Sequence, residues 1–429
     1  MRKASPPIWI AQVDLDRSPE PRPVSRERRR IDATARILVR LHGQVLGFVS
    51  VDLTGGADLG ADVVLEAIRT QLAGPLATHL AVDGRGGLAD VQGRHGLSAR
   101  RECQYRGGAV RREPISVVVC TRERDDSLAS CLKLLQQLDY HPFEVVVVDN
   151  APSTTAARDC FARMVGDDVR FRYVRELEPG LSRARNRGLA EAGFRHVAFT
   201  DDDVQVDPGW LDGLAAGFAR GPEVGCVTGL VPAARLDVEA QQYFERRFSW
   251  CARLEPHVYS LADRRGLSSL YPYSPGLFGT GANFAVDREL LRRLGGFDEA
   301  LGAGSPAGGG EELDVFVRIL RAGRSLAYEP SAVVWHFHRT SSAALRNQLF
   351  RYGSGLTAFL SKYTRHGDTA WEIVARLPAG AHQLWRMWSP AAIGRRPPAG
   401  LVLVELAGMA AGPLAYARGR RPRRMTITT

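Results

Sequence analysis

Three consecutive aspartates, Asp201, Asp202 and Asp203, follow directly after the apolar run HVAFT. Adjacent carboxylates repel one another unless a cation or several hydrogen-bond donors offset their charge. Mg²⁺ and Mn²⁺ do so readily, because both prefer oxygen ligands and share them with water and phosphate oxygens. In an extended segment Asp201 and Asp203 point to the same side. The run predicts a divalent metal with a diphosphate ligand, although an Asp-rich turn before Pro208 would also explain it.

Two other apolar runs also end in polar residues. ISVVVC is followed by Thr121 and, three residues on, by Arg124, and FEVVVV is followed by Asp149 and Asn150. Ligands of open α/β sheets bind beyond the carboxyl ends of the strands, so these residues are candidates for one site. A carboxylate in such a place can equally cap the next helix, and for Asp149 alone that alternative stays open.

Arginines and glutamates supply further candidates. The segment EPGLSRARNRGLAEAG has helix length and carries Arg185 next to Asn186, where a guanidinium can fork onto phosphate. Glu311 and Glu312 follow the glycine-rich stretch GAGSPAGGG. Acidic residues also favour a helix N-terminus for electrostatic reasons alone. The glycines predict a mobile loop that closes over a bound ligand.

The elements that must position these residues alternate between strand and helix from Ile115 onward. Continuous β-branched runs predict strands covered on both faces, and therefore a largely parallel α/β sheet. Before it, ILVRLHGQVLGFVSVDL predicts a hairpin around His42 and Gly43, and VVLEAIRTQLAGPLATHL has helical spacing. We predict an N-terminal α+β module with a flexible linker (1–110), an α/β domain (111–340) and a helical basic region (341–429).

Composition narrows the function without choosing it. The chain has 57 Lys plus Arg against 47 Asp plus Glu, a net charge of +10, which favours nucleotides, nucleic acid or an anionic membrane as partners. The six cysteines lack CxxC spacing, so they predict neither a zinc site nor a disulfide framework. The N-terminus has no secretory pattern, and we expect a cytoplasmic protein.

The ordered motifs from about Ile115 to Arg339, roughly half of the chain, resemble the family 2 glycosyltransferases, which have the GT-A fold. They are VVVCTRER, VVVVDNAPS, GLSRARNRGL, FTDDDV, GTGANFAVDRELLRRLGGFDEAL, GGGEELDVFVRILRAG and VVWHFH. The resemblance implies transfer of a sugar, with inversion, from a nucleotide-diphosphate sugar to a hydroxyl acceptor.

It also implies roles on the donor side. Asp149 is expected to contact the nucleotide base, with Thr121 nearby, and Arg185 stands where the family has the arginine of its ARN element. Asp201 is expected near the nucleotide and Asp203 on Mn²⁺ or Mg²⁺, with Asp202 between them. Arg124 matches the family as well, although Arg122 and Glu123 replace its common tyrosine and asparagine.

On the acceptor side the resemblance makes Glu312 the general base. It stands where the family usually has the aspartate of a Glu-Asp pair, and the longer side chain leaves Glu311 and Asp314 as alternatives. In the acceptor segment Gly281 allows close backbone approach and Asn283 can bond a hydroxyl. His336 resembles a third metal ligand of some related enzymes, while a structural histidine is the other possibility.

The C-terminal region suggests a membrane-proximal acceptor. Ala399 to Ala417 approaches the length of a membrane span but contains Glu405 and Pro413, so it predicts a helix on the membrane surface or a buried core helix. The composition of the C-terminal region suggests a lipid-linked or cell-envelope acceptor at the inner membrane face. The alternatives are a nucleotidyltransferase, or a non-enzymatic basic protein that binds nucleic acid or membrane. No nucleic-acid-binding signature accompanies the arginines, and we expect no nucleic-acid partner.

Overall fold

The computed structural model describes residues 5–54, 59–84, 97, 103, 112–248, 250–262, 268–365, 367–388 and 398–420. Within these residues the chain forms a four-stranded sheet, a nine-stranded sheet and a group of C-terminal helices. The predicted α/β fold with an N-terminal α+β module and a helical C-terminal region is confirmed.

The N-terminal module contains the smaller sheet, in the order β2-β1-β3-β4. Its strands are β1 (Ile8–Asp14), β2 (Ser18–Pro23), β3 (Thr34–Leu41) and β4 (Gln44–Asp52). The predicted hairpin is β3 and β4, joined by His42 and Gly43 with φ of 51° and 82°, as a type I′ turn requires. Helices α1 (Ala61–Gln71) and α2 (Ala73–Val82) pack on the sheet around an apolar core. Most of the predicted linker lies outside the described residues.

The larger sheet has the order β11-β13-β10-β12-β8-β5-β6-β7, and β9 pairs with β13. Its strands are β5 (Ile115–Thr121), β6 (Phe143–Asn150), β7 (Phe171–Glu176), β8 (His196–Asp201), β9 (Val204–Val206), β10 (Val224–Leu230), β11 (His257–Tyr259), β12 (Asn283–Asp287) and β13 (Ser325–His336). Strands β8, β5, β6 and β7 are parallel, as predicted. The other half is mixed, because β12 runs antiparallel to both β8 and β10.

Helices cover both faces of this sheet. They are α3 (Asp125–Gln136), α4 (Ala156–Val165), α5 (Leu181–Glu191), α6 (Trp210–Phe218), α7 (Glu239–Phe248), α8 (Arg288–Arg293) and α9 (Glu311–Arg321). Alternate residues of β5 enter different cores: Val117 and Val119 pack in one apolar cluster and Val118 in the other. This two-sided burial explains why the strands read as continuous apolar runs.

The N-terminal module packs directly against the larger sheet. Arg36 pairs with Glu245 at 2.7 Å, and Arg40 pairs with Asp207 at 2.8 Å. An apolar cluster contains residues from both sides, among them Leu38 of the module. The module is therefore part of one continuous structure with the α/β domain.

The C-terminal region consists of α10 (Ser342–Tyr363), α11 (Gly367–Met387) and α12 (Ala399–Gly419). Helix α12 docks on α10 so closely that a Cβ at Gly408 would lie 2.1 Å from the Phe350 carbonyl oxygen. Its buried Glu405 accepts hydrogen bonds from Arg247 at 2.9 and 3.0 Å. Among the described residues α12 is the helix long and apolar enough to cross a membrane, judged by length and composition alone. One face is buried as a core helix would be, while Leu403 and Leu414 remain exposed.

Candidate active site

The carboxyl ends of three parallel strands bring the predicted residues together. Thr121 of β5 lies beside Asp149 of β6, and Cys120 lies beside Asp201 of β8. These carboxyl ends lie at one edge of the sheet, because neighbouring parallel strands run in the same direction. The edge holds Thr121, Asp149 and the three aspartates.

The side chains of the three aspartates point in two different directions. Ligand atoms of Asp201, Asp203 and His336 all lie within 4.8 Å of one another, close enough to hold one metal ion. Asp202 instead turns into the protein, where it accepts hydrogen bonds from the Thr121 hydroxyl at 2.8 Å and from Arg124 at 3.1 Å. Asp202 therefore anchors the turn that presents its two neighbours, and the donor contact predicted for it is not supported by these bonds.

Two cations flank Asp203 at the open side of the group. Arg124 donates to its Oδ2 at 3.0 Å, and Arg339 lies 3.3 Å from the same oxygen. Burial opposes ionisation of Asp203, but His336, Arg339 and Arg124 together lower its pKa. Asp203 is therefore ionised, and the two partly exposed guanidinium groups give this edge positive charge.

A hydrogen-bonded chain fixes the orientation of His336. Its Nδ1 lies 3.1 Å from Nδ1 of His338, whose Nε2 lies 3.0 Å from Glu245. Glu245 is buried, which alone would raise its pKa, but His338 and Arg36 lower that pKa to about 2. As an ionised carboxylate, Glu245 accepts a hydrogen bond from the Nε2–H of His338. His338 then accepts at Nδ1 from His336, which leaves a lone pair on Nε2 of His336.

That lone pair faces the aspartates. His336 Nε2 lies 3.7 Å from Asp203 Oδ1. Burial lowers the pKa of His336 to about 4, so the ring is neutral near pH 7. A neutral imidazole whose outer nitrogen is hydrogen-bonded is the form in which histidine binds metals.

Arg185 lies beneath the site and not at its surface. Its side chain is 2% exposed, and it donates to Glu311 at 2.8 Å and to the Gly281 carbonyl oxygen at 2.8 Å. A longer contact of 3.4 Å reaches Asp201. The guanidinium therefore joins the aspartate group to the start of α9. Its donors are directed at these protein groups, so the structure gives Arg185 a positioning role in place of the predicted contact with phosphate.

The glycine-rich stretch before α9 is packed against its neighbours. The Leu181 amide donates to the Ala303 carbonyl at 2.8 Å, which ties the stretch to the start of α5. Gly310 has a φ of 89°, and a Cβ there would lie 2.5 Å from the Gly355 carbonyl oxygen of α10. Glycine is required because the turn into α9 is left-handed and touches α10. The predicted closure of a mobile loop is not seen in this packed conformation.

Burial raises the pKa of two carboxyl groups on either side of Arg185. The pKa of Glu312 rises to about 8, through burial first and the negative charge of Glu311 second. The pKa of Asp201 rises to about 7 through burial, although Arg185 opposes the shift. Glu312 is half-buried beside Gly281, so it can exchange a proton with a group that enters here.

Asp149 has one oxygen available. Its Oδ2 accepts from the Tyr173 hydroxyl at 2.5 Å, while its buried Oδ1 has no hydrogen-bond partner among the described residues. Burial raises the pKa of Asp149, with Tyr173 acting against the shift. An unpartnered buried acceptor is costly, so Oδ1 is suited to a donor that arrives with a ligand.

Asn283 does not reach the site. It is fully buried in β12, accepts from Trp210 Nε1 at 2.8 Å, and donates to the carbonyls of Leu230 and Ala332 at 3.1 and 2.8 Å. Its amide is used within the core, so the predicted contact with an acceptor hydroxyl is replaced by a structural role. Gly281, two residues earlier, is the member of this segment that borders Glu312.

Several residues of the site were missed from the sequence. Tyr173, Glu245 and Arg36 lie in separate elements, and nothing in their local pattern indicates the aspartate edge. Arg339 follows HFH directly, so its position next to a candidate ligand was a signal that could have been used.

Comparisons with known proteins agree with these observations. The family model described as "Glycosyltransferase like family 2" matches residues 112–355. The pre-mycofactocin glycosyltransferase of Mycobacterium tuberculosis is 30% identical over 298 residues, which are 68% of this chain and 56% of that relative. The chain thus spans little more than half the length of this curated relative. Polypeptide N-acetylgalactosaminyltransferase 11 of Xenopus tropicalis is 27% identical over 236 residues, 52% of this chain and 38% of that protein.

The solved structures that resemble this chain are more distant from it in sequence than these relatives. The mannosyltransferase PcManGT from Pyrobaculum calidifontis, in complex with GDP-Man and Mn²⁺, has a TM-score of 0.45 and 20% identity, covering 72% of this chain and 87% of that one. GalNAc-T7 with UDP, GalNAc and Mn²⁺ has a TM-score of 0.40 and 17% identity, covering 58% and 50%.

The raised pKa values predict how stability depends on pH without metal. The pKa of Glu312 rises from 4.5 to about 8 and that of Asp201 from 3.8 to about 7, so the folded protein binds more protons than the unfolded chain between these limits. The two raised pKa values contribute their full stabilisation when the pH is below the unfolded-state values of 3.8 and 4.5. This stabilisation is lost as the pH rises through the folded-state values of about 7 and about 8. Melting temperatures in chelator should fall between about pH 6.5 and about pH 8. Below pH 6.5 the lowered pKa of His336 acts in the opposite direction, because the unfolded chain then binds the additional proton.

Glu312→Gln should flatten this fall, because the glutamine cannot ionise. The matched control is Glu299→Gln, at a partly exposed glutamate paired with Arg183, which should keep the wild-type slope. Equal slopes for both variants would contradict the assignment of the raised pKa to Glu312.

Proposed function

Because the chain belongs to glycosyltransferase-like family 2, we propose that it transfers a sugar, with inversion, from a nucleotide-diphosphate sugar to a hydroxyl acceptor. The observation that carries this proposal is the pairing of two groups across Arg185. On one side Asp201, Asp203 and His336 can hold a divalent ion. On the other side Glu312 has a pKa near the working pH of a general base.

We propose that the metal ligands are Asp203, Asp201 and His336. Two carboxylates and one imidazole fit Mn²⁺ and also Mg²⁺, and the nitrogen ligand favours Mn²⁺. Once bound, the ion would neutralise the diphosphate and so assist its departure. Arg124 and Arg339, which flank Asp203, add positive charge on the same side.

The other contacts to the sugar nucleotide are inferred from which polar atoms of the site already have a hydrogen-bond partner in the protein. Asp149 Oδ1 is a buried acceptor without a partner among the described residues, which supports a hydrogen bond from the nucleotide base. Thr121 contributes through Asp202, whose carboxylate it holds. Arg185 acts as a positioning residue, because its donors are directed at Glu311, Gly281 and Asp201.

Glu312 is favoured as the base over both neighbouring acids. Glu311 is paired with Arg185 at 2.8 Å. Asp314 is fully buried and bonded to Arg318 at 2.8 Å and to Lys362 at 2.9 Å. Glu312 would take the acceptor's hydroxyl proton as the oxygen attacks the anomeric carbon, opposite to the departing diphosphate. The bond from that carbon to the diphosphate breaks as the new glycosidic bond forms.

For the acceptor we propose a lipid-linked or cell-envelope hydroxyl compound, reached through peripheral contact with an anionic membrane from the cytoplasmic side. Helix α11 exposes Trp371 and Trp385 at 76% and 67%, and α12 exposes Leu403 and Leu414. Exposed tryptophans are typical of surfaces that meet the membrane interface. The named substrate of the 30% identical relative, pre-mycofactocin, is the second acceptor to test, since sequence similarity favours it.

The two alternative functions, nucleotidyl transfer and non-enzymatic binding of nucleic acid or membrane, have less support. A nucleotidyltransferase also needs aspartates and a metal, but it gives no role to Glu312 and the acceptor segment. A purely basic binding protein would not need a buried guanidinium to hold two acids at one sheet edge. Transfer of the sugar to the product indicates a glycosyltransferase. Transfer of the nucleotide indicates a nucleotidyltransferase.

Asp203→Ala should abolish metal-dependent donor binding, because the substitution removes a charged metal ligand. We expect Mn²⁺-dependent affinity for UDP, GDP or dTDP sugars to fall by at least the roughly 10–100-fold that loss of an outer-shell partner costs. Isothermal titration calorimetry with and without Mn²⁺ measures it. Asp212→Ala, at a partly exposed aspartate paired with Arg112, is the control. Unchanged affinity in Asp203→Ala would refute the metal assignment.

Glu312→Gln should keep donor binding and lose transfer, because the amide cannot accept the acceptor's proton. The turnover number should fall by roughly 10²–10⁴ while the donor dissociation constant stays close to the wild-type value. Product formation in single-turnover assays gives the rate, and Glu299→Gln serves as the control. Transfer at a near wild-type rate would place the base elsewhere.

The full chain should bind vesicles that contain anionic lipid, and salt should weaken the binding because part of it is electrostatic. The double variant Trp371→Ser and Trp385→Ser should reduce co-sedimentation with the vesicles. Val169→Ser removes another exposed apolar side chain, on the α/β domain, and should leave binding unchanged. Equal binding by all three proteins would exclude this surface as the membrane contact.

A further inference from the structure

A second cluster of metal-binding side chains lies in the N-terminal module, inside its core. His42, His79, Asp83 and Cys103 are between 1% and 4% exposed. The His42 Nδ1 and His79 Nε2 atoms are 2.9 Å apart, and Cys103 Sγ lies 3.3 Å from the first and 3.8 Å from the second. Asp83 Oδ2 lies 3.9 Å from His42 Nδ1. Nothing in the glycosyl-transfer site uses these groups.

The outer nitrogens of both rings face oxygen acceptors. His42 Nε2 lies 2.7 Å from the Leu97 carbonyl oxygen, and His79 Nδ1 lies 2.6 Å from Gln44 Oε1. Each of these contacts needs the ring proton on the outer nitrogen. The two inner nitrogens then carry lone pairs that point at each other across 2.9 Å. Two such lone pairs repel unless a cation lies between them.

We propose that His42, His79 and Cys103 bind a structural zinc ion, and that Asp83, whose Oδ2 lies 3.9 Å from His42 Nδ1, moves closer to become the fourth ligand. Zinc–nitrogen and zinc–sulfur bonds of about 2.0 and 2.3 Å place the ligand atoms of a tetrahedron roughly 3.3–3.6 Å apart. The separations among the His42, His79 and Cys103 ligand atoms, from 2.9 to 3.8 Å, need only small adjustments to reach that geometry. Outer carbonyl partners on both imidazoles are the usual support of zinc-bound histidines.

The charges of the donor set also fit zinc. A thiolate from Cys103 and a carboxylate from Asp83 together balance the two positive charges of Zn²⁺, and the histidines are neutral ligands. A neutral assembly is what a site without solvent contact requires, because an unbalanced charge is costly there. The mixture of nitrogen, sulfur and oxygen ligands suits zinc better than the hard ions expected at the aspartates.

The site would act as a clamp for the module. Its ligands come from the β3–β4 turn, from helix α2 and the residue after it, and from Cys103 in the segment that leads toward β5. His42 has a φ of 51°, a conformation that non-glycine residues rarely adopt, at the tip of that turn. Four protein ligands leave no open position, so the role is structural and not catalytic. The cysteine spacing gave no sign of it, because the ligands are distant in sequence.

Metal analysis of the full chain tests the proposal. The protein would be purified through a tag without histidines, incubated with zinc, dialysed, and analysed by mass spectrometry for zinc. We expect stoichiometric zinc in the wild type and its loss in Cys103→Ser. Cys160→Ser alters a buried cysteine of α4 and should retain zinc. In proteins that also carry Asp203→Ala, which removes the aspartate metal site, a strong chelator should lower the melting temperature with Cys103 intact or with Cys160→Ser, but not with Cys103→Ser.

Cobalt substitution of the unmodified protein gives an answer even if Cys103→Ser folds poorly. A thiolate-to-cobalt charge-transfer band that zinc removes would support coordination by Cys103. Zinc-free wild type with no such band and no response to chelator would overturn the proposal and leave a proton shared between the two rings. Donor binding at the aspartates is measured separately, so failure of this site leaves the proposed glycosyl transfer intact.

Discussion

One buried guanidinium holds the site together. Arg185 of α5 lies between Asp201 at the end of β8 and Glu311 at the start of α9, and it also binds the Gly281 carbonyl oxygen. Carboxylates this close would repel one another in an apolar interior, and a cation with several fixed donors offsets that repulsion. The position of the aspartates relative to Glu311 and Glu312 depends on this contact.

The group of Asp201, Asp203 and His336 depends on a second chain of contacts that begins in the N-terminal module. Arg36 fixes Glu245, Glu245 orients His338, and His338 sets the tautomer of His336. Because each proton position determines the next, a residue on β3 of the module influences whether Nε2 of His336, which faces Asp203, carries a lone pair. The module therefore supports the chemistry of the α/β domain. A zinc clamp within the module would make that support more rigid.

The C-terminal helices support the start of α9 in a comparable way. Lys362 and Tyr363 of α10 bind Asp314 on α9. At the turn before α9, Gly310 touches the backbone of α10. Helix α12 in turn holds α10 through glycine contacts, and its buried Glu405 pairs with Arg247 of α7. The candidate site is thus supported by the N-terminal module near His336 and by the C-terminal helices near α9.

The sequence by itself determined the alternation of strands and helices, the β3–β4 hairpin and the edge where Thr121, Asp149 and the aspartates meet. These follow from local periodicity and from the rule that parallel strands end at one edge, both of which short segments express. Only the tertiary structure decided that Asp202 turns inward, that Arg185 binds acids, and that Asn283 belongs to the core. It also brought His42, His79 and Cys103 together. Each of these depends on which distant side chain completes a hydrogen bond or balances a charge, and sequence spacing carries no record of that partner.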